Sequence, residues 1–103
     1  MRTLRFIITG QNIEKDPSCD FSGLVPGTRG YLRAEFVFDR NWDGCRKAAV
    51  FTNLCKHYPV PIINNTCDIP EEALTWKRFQ VSVVGERNRY RIPTNKTEVK
   101  QDG

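Results

Sequence analysis

Arg87, Arg89 and Arg91 alternate with Asn88 and Tyr90 towards the end of the sequence. On an extended strand, residues two apart share a face. Three guanidiniums would then stand about 7 Å apart and could grip a row of carboxylates or phosphates through their planar, forked donors. The same row would also guard a strand against edge-to-edge pairing. Lys77 and Arg78 extend the basic patch if neighbouring strands pair. The second binding candidate is Trp42, just before the turn dipeptide Asp43-Gly44. Two roles are open to it: a plug closing one end of the core, or an exposed anchor for a partner.

Catalysis has little to work with. An enzyme needs a nucleophile or an acid–base pair in a pocket. The single histidine, His57, follows Cys55 and Lys56, and a thiol and imidazole two residues apart could meet. No orienting Asn or Asp and no oxyanion donors accompany them. Glu71-Glu72 fits a helix start and Asp39/Asp43 flank a turn, so both acidic pairs have structural roles. Glycine-rich phosphate loops, HExxH and EF-hand spacings are absent. The reading is non-enzymatic, with no catalytic residues and no cofactor.

Four cysteines, Cys19, Cys45, Cys55 and Cys67, stand far apart with no CxxC pair. Structural zinc usually shows a close ligand pair, so no metal site is assigned. The number is low for a disulfide scaffold, which favours reduced, mostly buried thiols; one or two disulfides remain the alternative. Asn64-Asn65-Thr66 and Asn95-Lys96-Thr97 match a glycosylation sequon, a tripeptide frequent by chance.

Nearly all elements that would hold these residues carry a two-residue rhythm. Leu4, Phe6 and Ile8 alternate over residues 3–9. Leu32, Ala34, Phe36 and Phe38 alternate over 31–39, with mostly polar neighbours facing outwards. Residues 46–52 read as the returning strand of a hairpin through Asp43-Gly44. Gly10 to Gly30 is a long polar stretch with turn signals, in which Leu24-Val25 form a short edge strand and Pro26-Gly27 a type II turn. Asn53 to Tyr58 is a connector. Residues 60–63 form a strand that Pro61 assigns to an edge, and Asn64-Asn65 a turn. A short strand over 66–69 precedes Pro70-Glu71-Glu72-Ala73-Leu74, the one helical turn. Residues 76–86, 89–92 and 95–100 complete the strands, with a turn over 85–88.

These elements predict a single all-β domain over residues 1–103. The architecture expected is an immunoglobulin-like β-sandwich of seven to nine short antiparallel strands with one short helical turn. Hydrophobic residues make up 39% and charged residues 27%, a globular composition in 103 residues. A domain of that size has little room for a deep substrate pocket. Its net charge of +4 comes from 16 basic and 12 acidic residues scattered through the chain, which disfavours nucleic acid as partner. Apolar runs are far shorter than the roughly 20 residues of a spanning helix, so no membrane segment is expected. The charged start at Arg2 and Arg5 lacks a cleavage site and reads as a first strand.

The segments Gly30–Asp39, Asn41-Trp42-Asp43-Gly44 and Lys47–Phe51 resemble a recurrent module of phages and prophages of Gram-positive bacteria. Tyr58–Pro61, Cys67–Pro70, Phe79–Gly85 and Ile92–Lys96 fit the same pattern, so the similarity covers most of residues 24–100. The resemblance implies a virion structural component of baseplate, tail or capsid-surface type. It carries over no catalytic residues. Because longer relatives continue into a receptor-binding domain and stalk where this sequence stops at Gly103, the expectation is a decoration or adaptor protein. Its partners would be other virion proteins, and repeated copies could form a homo-oligomer on the particle. The alternative is a small phage-encoded inhibitor, anti-CRISPR-like, that binds a host defence protein. The corresponding locations are the virion, or the host cytoplasm during infection.

Overall fold

In the computed structural model, which describes residues 1–102, alternation of apolar and polar side chains builds nine strands in two sheets. They are β1 (Arg2–Thr9), β2 (Asn12–Lys15), β3 (Leu32–Phe38), β4 (Arg46–Asn53), β5 (Lys56–Ile62), β6 (Thr66–Asp68), β7 (Arg78–Arg87), β8 (Tyr90–Pro93) and β9 (Thr97–Lys100). One sheet runs β2-β1-β3-β6. The other runs β5-β4-β7-β8, with β9 pairing the first half of β7. The all-β expectation is met. Two short 3₁₀ turns, Arg40–Trp42 and Glu71–Leu74, are the helical elements among the described residues; only the second was expected. No helix among the described residues is long and apolar enough to cross a membrane.

Inward side chains of both sheets share one core, which includes Leu4, Phe6, Ile8, Leu32, Phe36, Phe51, Phe79, Val81 and Val99. An aromatic chain runs through it. Phe21 meets Phe6 edge-on at 5.5 Å, Phe6 stacks on Phe36 at 5.6 Å, and Phe38 meets Trp42 at 5.2 Å. Such pairs add about 0.5–1.5 kcal/mol each beyond the area they bury.

Several expectations need correction. The strands are not all antiparallel: β1 pairs β3 in parallel, from Arg2 opposite Leu32 to Ile8 opposite Phe38. β3 and β4 are not a hairpin, because they lie in different sheets. The cause is Trp42. Asp39 caps the 3₁₀ turn by accepting from the Asn41 backbone N–H at 3.0 Å, and the turn drives the indole into the core. The chain leaves that corner in the opposite layer. Leu24 and Val25 form no strand; Leu24 is buried as an apolar pin and its carbonyl accepts from the Asp102 backbone. The supposed connector 53–58 is mostly strand, with the reversal confined to Leu54-Cys55. β2 went unseen because its one inward side chain, Ile13, offers no alternation to read.

Pro59 and Pro61 lie on β5, an edge of the five-stranded sheet, as proline requires. Both pair with β4 on alternate rungs, opposite Val50 and Ala48. Proline there removes donors from the free edge and discourages pairing with another chain.

Three carboxylates tie the first sheet's loops. Asp39 accepts from the Gly10 backbone N–H at 2.6 Å, which holds its carboxyl below the ordinary value. Asp16 and Asp20 are lowered by hydrogen bonds from Ser18 and Ser22. A carboxyl whose folded value is depressed stabilises the fold above its unfolded value and loses that contribution as pH falls through the folded one. Melting temperature should therefore hold from neutrality to about pH 5 and fall below about pH 4. Asp39→Asn should lower the plateau and flatten the acid limb; an unchanged profile would count against Asp39 as a principal carboxylate of this limb.

Candidate functional site

The outer faces of the two sheets differ in chemistry. That of the β2-β1-β3-β6 sheet is matched by ion pairs. Arg5 Nε contacts Glu35 at 2.6 Å, its guanidinium also lies 3.5 Å from Asp16, and Arg33 lies 3.7 Å from Asp68. The other sheet carries its ion pairs, Arg91–Glu86 and Arg78–Glu98, towards the ends of β7 and presents small and apolar side chains between them. Ala48 and Val50 of β4 alternate with buried Ala49 and Phe51, so they point outwards. The register places Ser82 and Val84 of β7 and Pro59 and Pro61 of β5 on the same side. No element of the described chain covers them, and Ala48, Val50 and Val84 are half-buried only by each other and their neighbours.

At one end this face deepens into a hollow of about 560 Å³. Thr52 and Gln80, paired across β4 and β7, form its floor. One wall is the β4–β5 reversal with Leu54, Cys55 and His57; the other is Lys96 and Glu98, beside and on β9. Trp76 and Arg78 close the end. Leu54 is 64% exposed and Trp76 41%, so two large apolar groups rim one concavity.

Buried amides position the rim. Asn53 is buried at the end of β4 and its Nδ2 donates to the carbonyls of Ala73 (3.1 Å) and Glu72 (3.3 Å) and lies 3.2 Å from Thr75 Oγ1. Gln101, also buried, donates through Nε2 to the carbonyls of Trp76 (2.6 Å) and Leu74 (3.2 Å). Two side-chain amides from distant parts of the chain thus clamp residues 72–76, the segment that carries Trp76.

Cys55 and His57 line this hollow, yet they are not assembled as a nucleophile and base. His57 Nδ1 lies 3.0 Å from Thr52 Oγ1, and Cys55 sits in the reversal at φ 67°. All four cysteines are free thiols: Cys45 and Cys67 are buried, Cys19 is half-buried and Cys55 is exposed. Burial pushes the Cys67 thiol up to about 12, so it stays protonated at neutral pH. No cluster of three or more metal-ligating side chains exists among the described residues.

The arginine row does not form. β7 runs on to Arg87, the turn is Asn88-Arg89, and Arg91 belongs to β8. Arg91 sits opposite Glu86 and pairs with it at 3.3 Å, which places it on the face away from Arg87. Arg87 stacks 4.8 Å over the Tyr90 ring and donates to the Asp43 carbonyl at 2.9 Å. Tyr90 donates its hydroxyl to the Asn41 carbonyl at 2.8 Å, so this hairpin braces the Trp42 corner. Arg89 stands alone at the turn. Trp42 is fully buried, and its indole N–H donates to the Gly10 carbonyl at 2.9 Å. It is the core plug and not an exposed anchor.

The sequence singles out Cys55, His57 and Arg78 of this hollow, whereas Leu54 and Trp76 escape notice for a reason. Trp76 was absorbed into a strand pattern, although it precedes β7 and adjoins Lys77 and Arg78. Leu54-Cys55 occupies a reversal without turn-forming residues, a mismatch visible only once the pairing is known. No family model, curated protein or solved structure matches the chain.

Proposed function

We propose that this protein is a non-enzymatic binding module of two packed β layers, acting through the outer face of its five-stranded sheet. The observation that carries the reading is the uncovered run of Ala48, Val50, Ser82 and Val84, whereas the middle of the opposite face holds the Arg5–Glu35 ion pair. Flat strand faces of small apolar residues favour association with another protein, since their desolvation costs little and their area is contiguous. Layered sheets around one core agree with an immunoglobulin-like sandwich, from which the parallel β1–β3 pair departs.

The setting in a virion, as a decoration or adaptor component, rests on the resemblance of Gly30–Phe51 and the downstream segments to phage modules. Quantitative mass spectrometry of purified particles tests it. Stoichiometric recovery of the chain is expected, and particles that lack it would end the virion reading. Val50→Glu places a charge in the middle of the exposed face. It should leave the melting temperature nearly unchanged and cut recovery about tenfold, equivalent to about 1.4 kcal/mol of association. Undiminished recovery would remove this face from the contact.

A further inference from the structure

The hollow beside Trp76 has charges that select among partners. Arg78 and Lys96 line it against one carboxylate, Glu98, which lies 4.0 Å from Arg78. Lys77 and Lys100 continue the same rim around Arg78, with the Lys77 ammonium 5.6 Å from the Trp76 ring centre. Two cations and one carboxylate therefore line the hollow with the exposed indole, and two further cations flank Arg78 at its edge. The hollow adds an apolar wall at Leu54 and hydrogen-bonding groups at Thr52 and Gln80.

The reversal that supplies Leu54 is costly for its sequence. Leu54 and Cys55 hold φ of 50° and 67°, in the left-handed region. The β5–β6 reversal meets the same demand with Asn64 and Asn65, at φ 53° and 62°, the residue type that tolerates it. A leucine kept in strained backbone and 64% exposed is poorly explained by stability and well explained by contact. Across the hollow, Gln101 fixes the Trp76 carbonyl and Asn53 fixes the turn before it, so the indole is presented with little ordering left to lose on binding.

We infer that the Leu54–Trp76 hollow receives an acidic peptide segment of a partner protein, with an apolar side chain between Leu54 and Trp76 and carboxylates towards Lys77, Arg78, Lys96 and Lys100. This rests on the protein-binding reading above and names its partner's chemistry. A single-stranded nucleic acid is the less favoured occupant. Such ligands use successive stacking rings, whereas this hollow offers one large aromatic ring, that of Trp76.

The test begins from an unbiased library of random twelve-residue peptides selected against the folded full chain. Enriched sequences should carry Asp and Glu flanking an aromatic or aliphatic residue. Affinity for the best peptide should drop about tenfold or more with Trp76→Ala, and again with Lys96→Glu, and weaken with salt. Arg89→Ala, at the far end of β7, should change nothing. Leu54→Asn should raise the melting temperature while lowering affinity, a pairing that a purely structural Leu54 would not give. A basic or uncharged consensus, or binding indifferent to Trp76, overturns the proposal. So does failure to enrich any peptide, and so does tight binding of an oligothymidylate lost in Trp76→Ala. Each of these results leaves the particle and Val50→Glu measurements to judge the broader reading separately.

Discussion

Gly85→Ala should be among the most damaging single-methyl changes in this protein. A Cβ at Gly85 would stand 2.8 Å from two carbons of the Trp42 ring and 3.2 Å from Cys45 Cβ. The ring cannot withdraw. It is fully buried, its N–H is committed to the Gly10 carbonyl at 2.9 Å, and Phe38 packs 5.2 Å away. Overpacking of this kind costs about 2–3 kcal/mol. For a domain of this length that lowers the melting temperature by roughly 8–24 °C. Because the clash is with one side chain, the effect should depend on that side chain. Trp42→Phe is itself destabilising, since it leaves a cavity and an unpaired carbonyl, but it makes room for the methyl. In a double-mutant cycle followed by urea unfolding, Gly85→Ala should cost about 1–2 kcal/mol less in the Trp42→Phe background. Additive costs would show that the indole is not what excludes a side chain at this position.

Asn53→Asp should be nearly as severe, and for an electrostatic reason. The amide donates to two carbonyls and faces the Thr75 hydroxyl inside the protein. A carboxylate of the same shape has no proton to give at neutral pH and would face two carbonyl oxygens. Asn53→Ala removes the donor and leaves buried acceptors unpaired, at about 2 kcal/mol, or roughly 8–16 °C in melting temperature. Asn53→Asp should exceed that at pH 7, because an unpaired buried charge costs more than an unpaired dipole. Its deficit relative to Asn53→Ala should shrink as pH is lowered towards about 5, where a buried carboxyl gains its proton and can donate. Thermal melts of the two variants from pH 5 to 8 provide the comparison. If Asn53→Asp matched the parent protein at pH 7, the clamp on residues 72–76 would be discarded, and with it the account of how Trp76 is held.

The two positions show how sequence can mislead about a residue's role. Gly85 reads as a turn residue, because glycine followed by charged residues ordinarily marks a reversal. It lies inside β7, at a backbone that any residue could adopt, and it is glycine for want of space. Asn53 reads as part of a loop because asparagine is rare in strands. It ends β4 facing inwards, where its amide supplies donors that the 71–74 turn lacks. The arginine row failed similarly. Alternation placed Arg87, Arg89 and Arg91 on one face only on the assumption that one strand holds them, and the tight reversal at Asn88-Arg89 splits them.

What the amino-acid order determined alone is local. The period of two in Leu4-Phe6-Ile8, Leu32-Ala34-Phe36 and Phe79-Val81-Val83 dictates extended backbone and chooses the buried face, since any other conformation would strand those side chains in water. Pro61 likewise announced an edge, because a proline lacks the donor that an interior rung needs. Only the tertiary structure decided which strands meet. β1 lies beside β3 in parallel across twenty-two residues that include β2, and Trp42 sends β3 and β4 into different sheets. It also decided that Leu54, Trp76, Arg78, Lys96 and Glu98 share one hollow. Those outcomes follow from packing between segments distant in the chain, which no local pattern encodes.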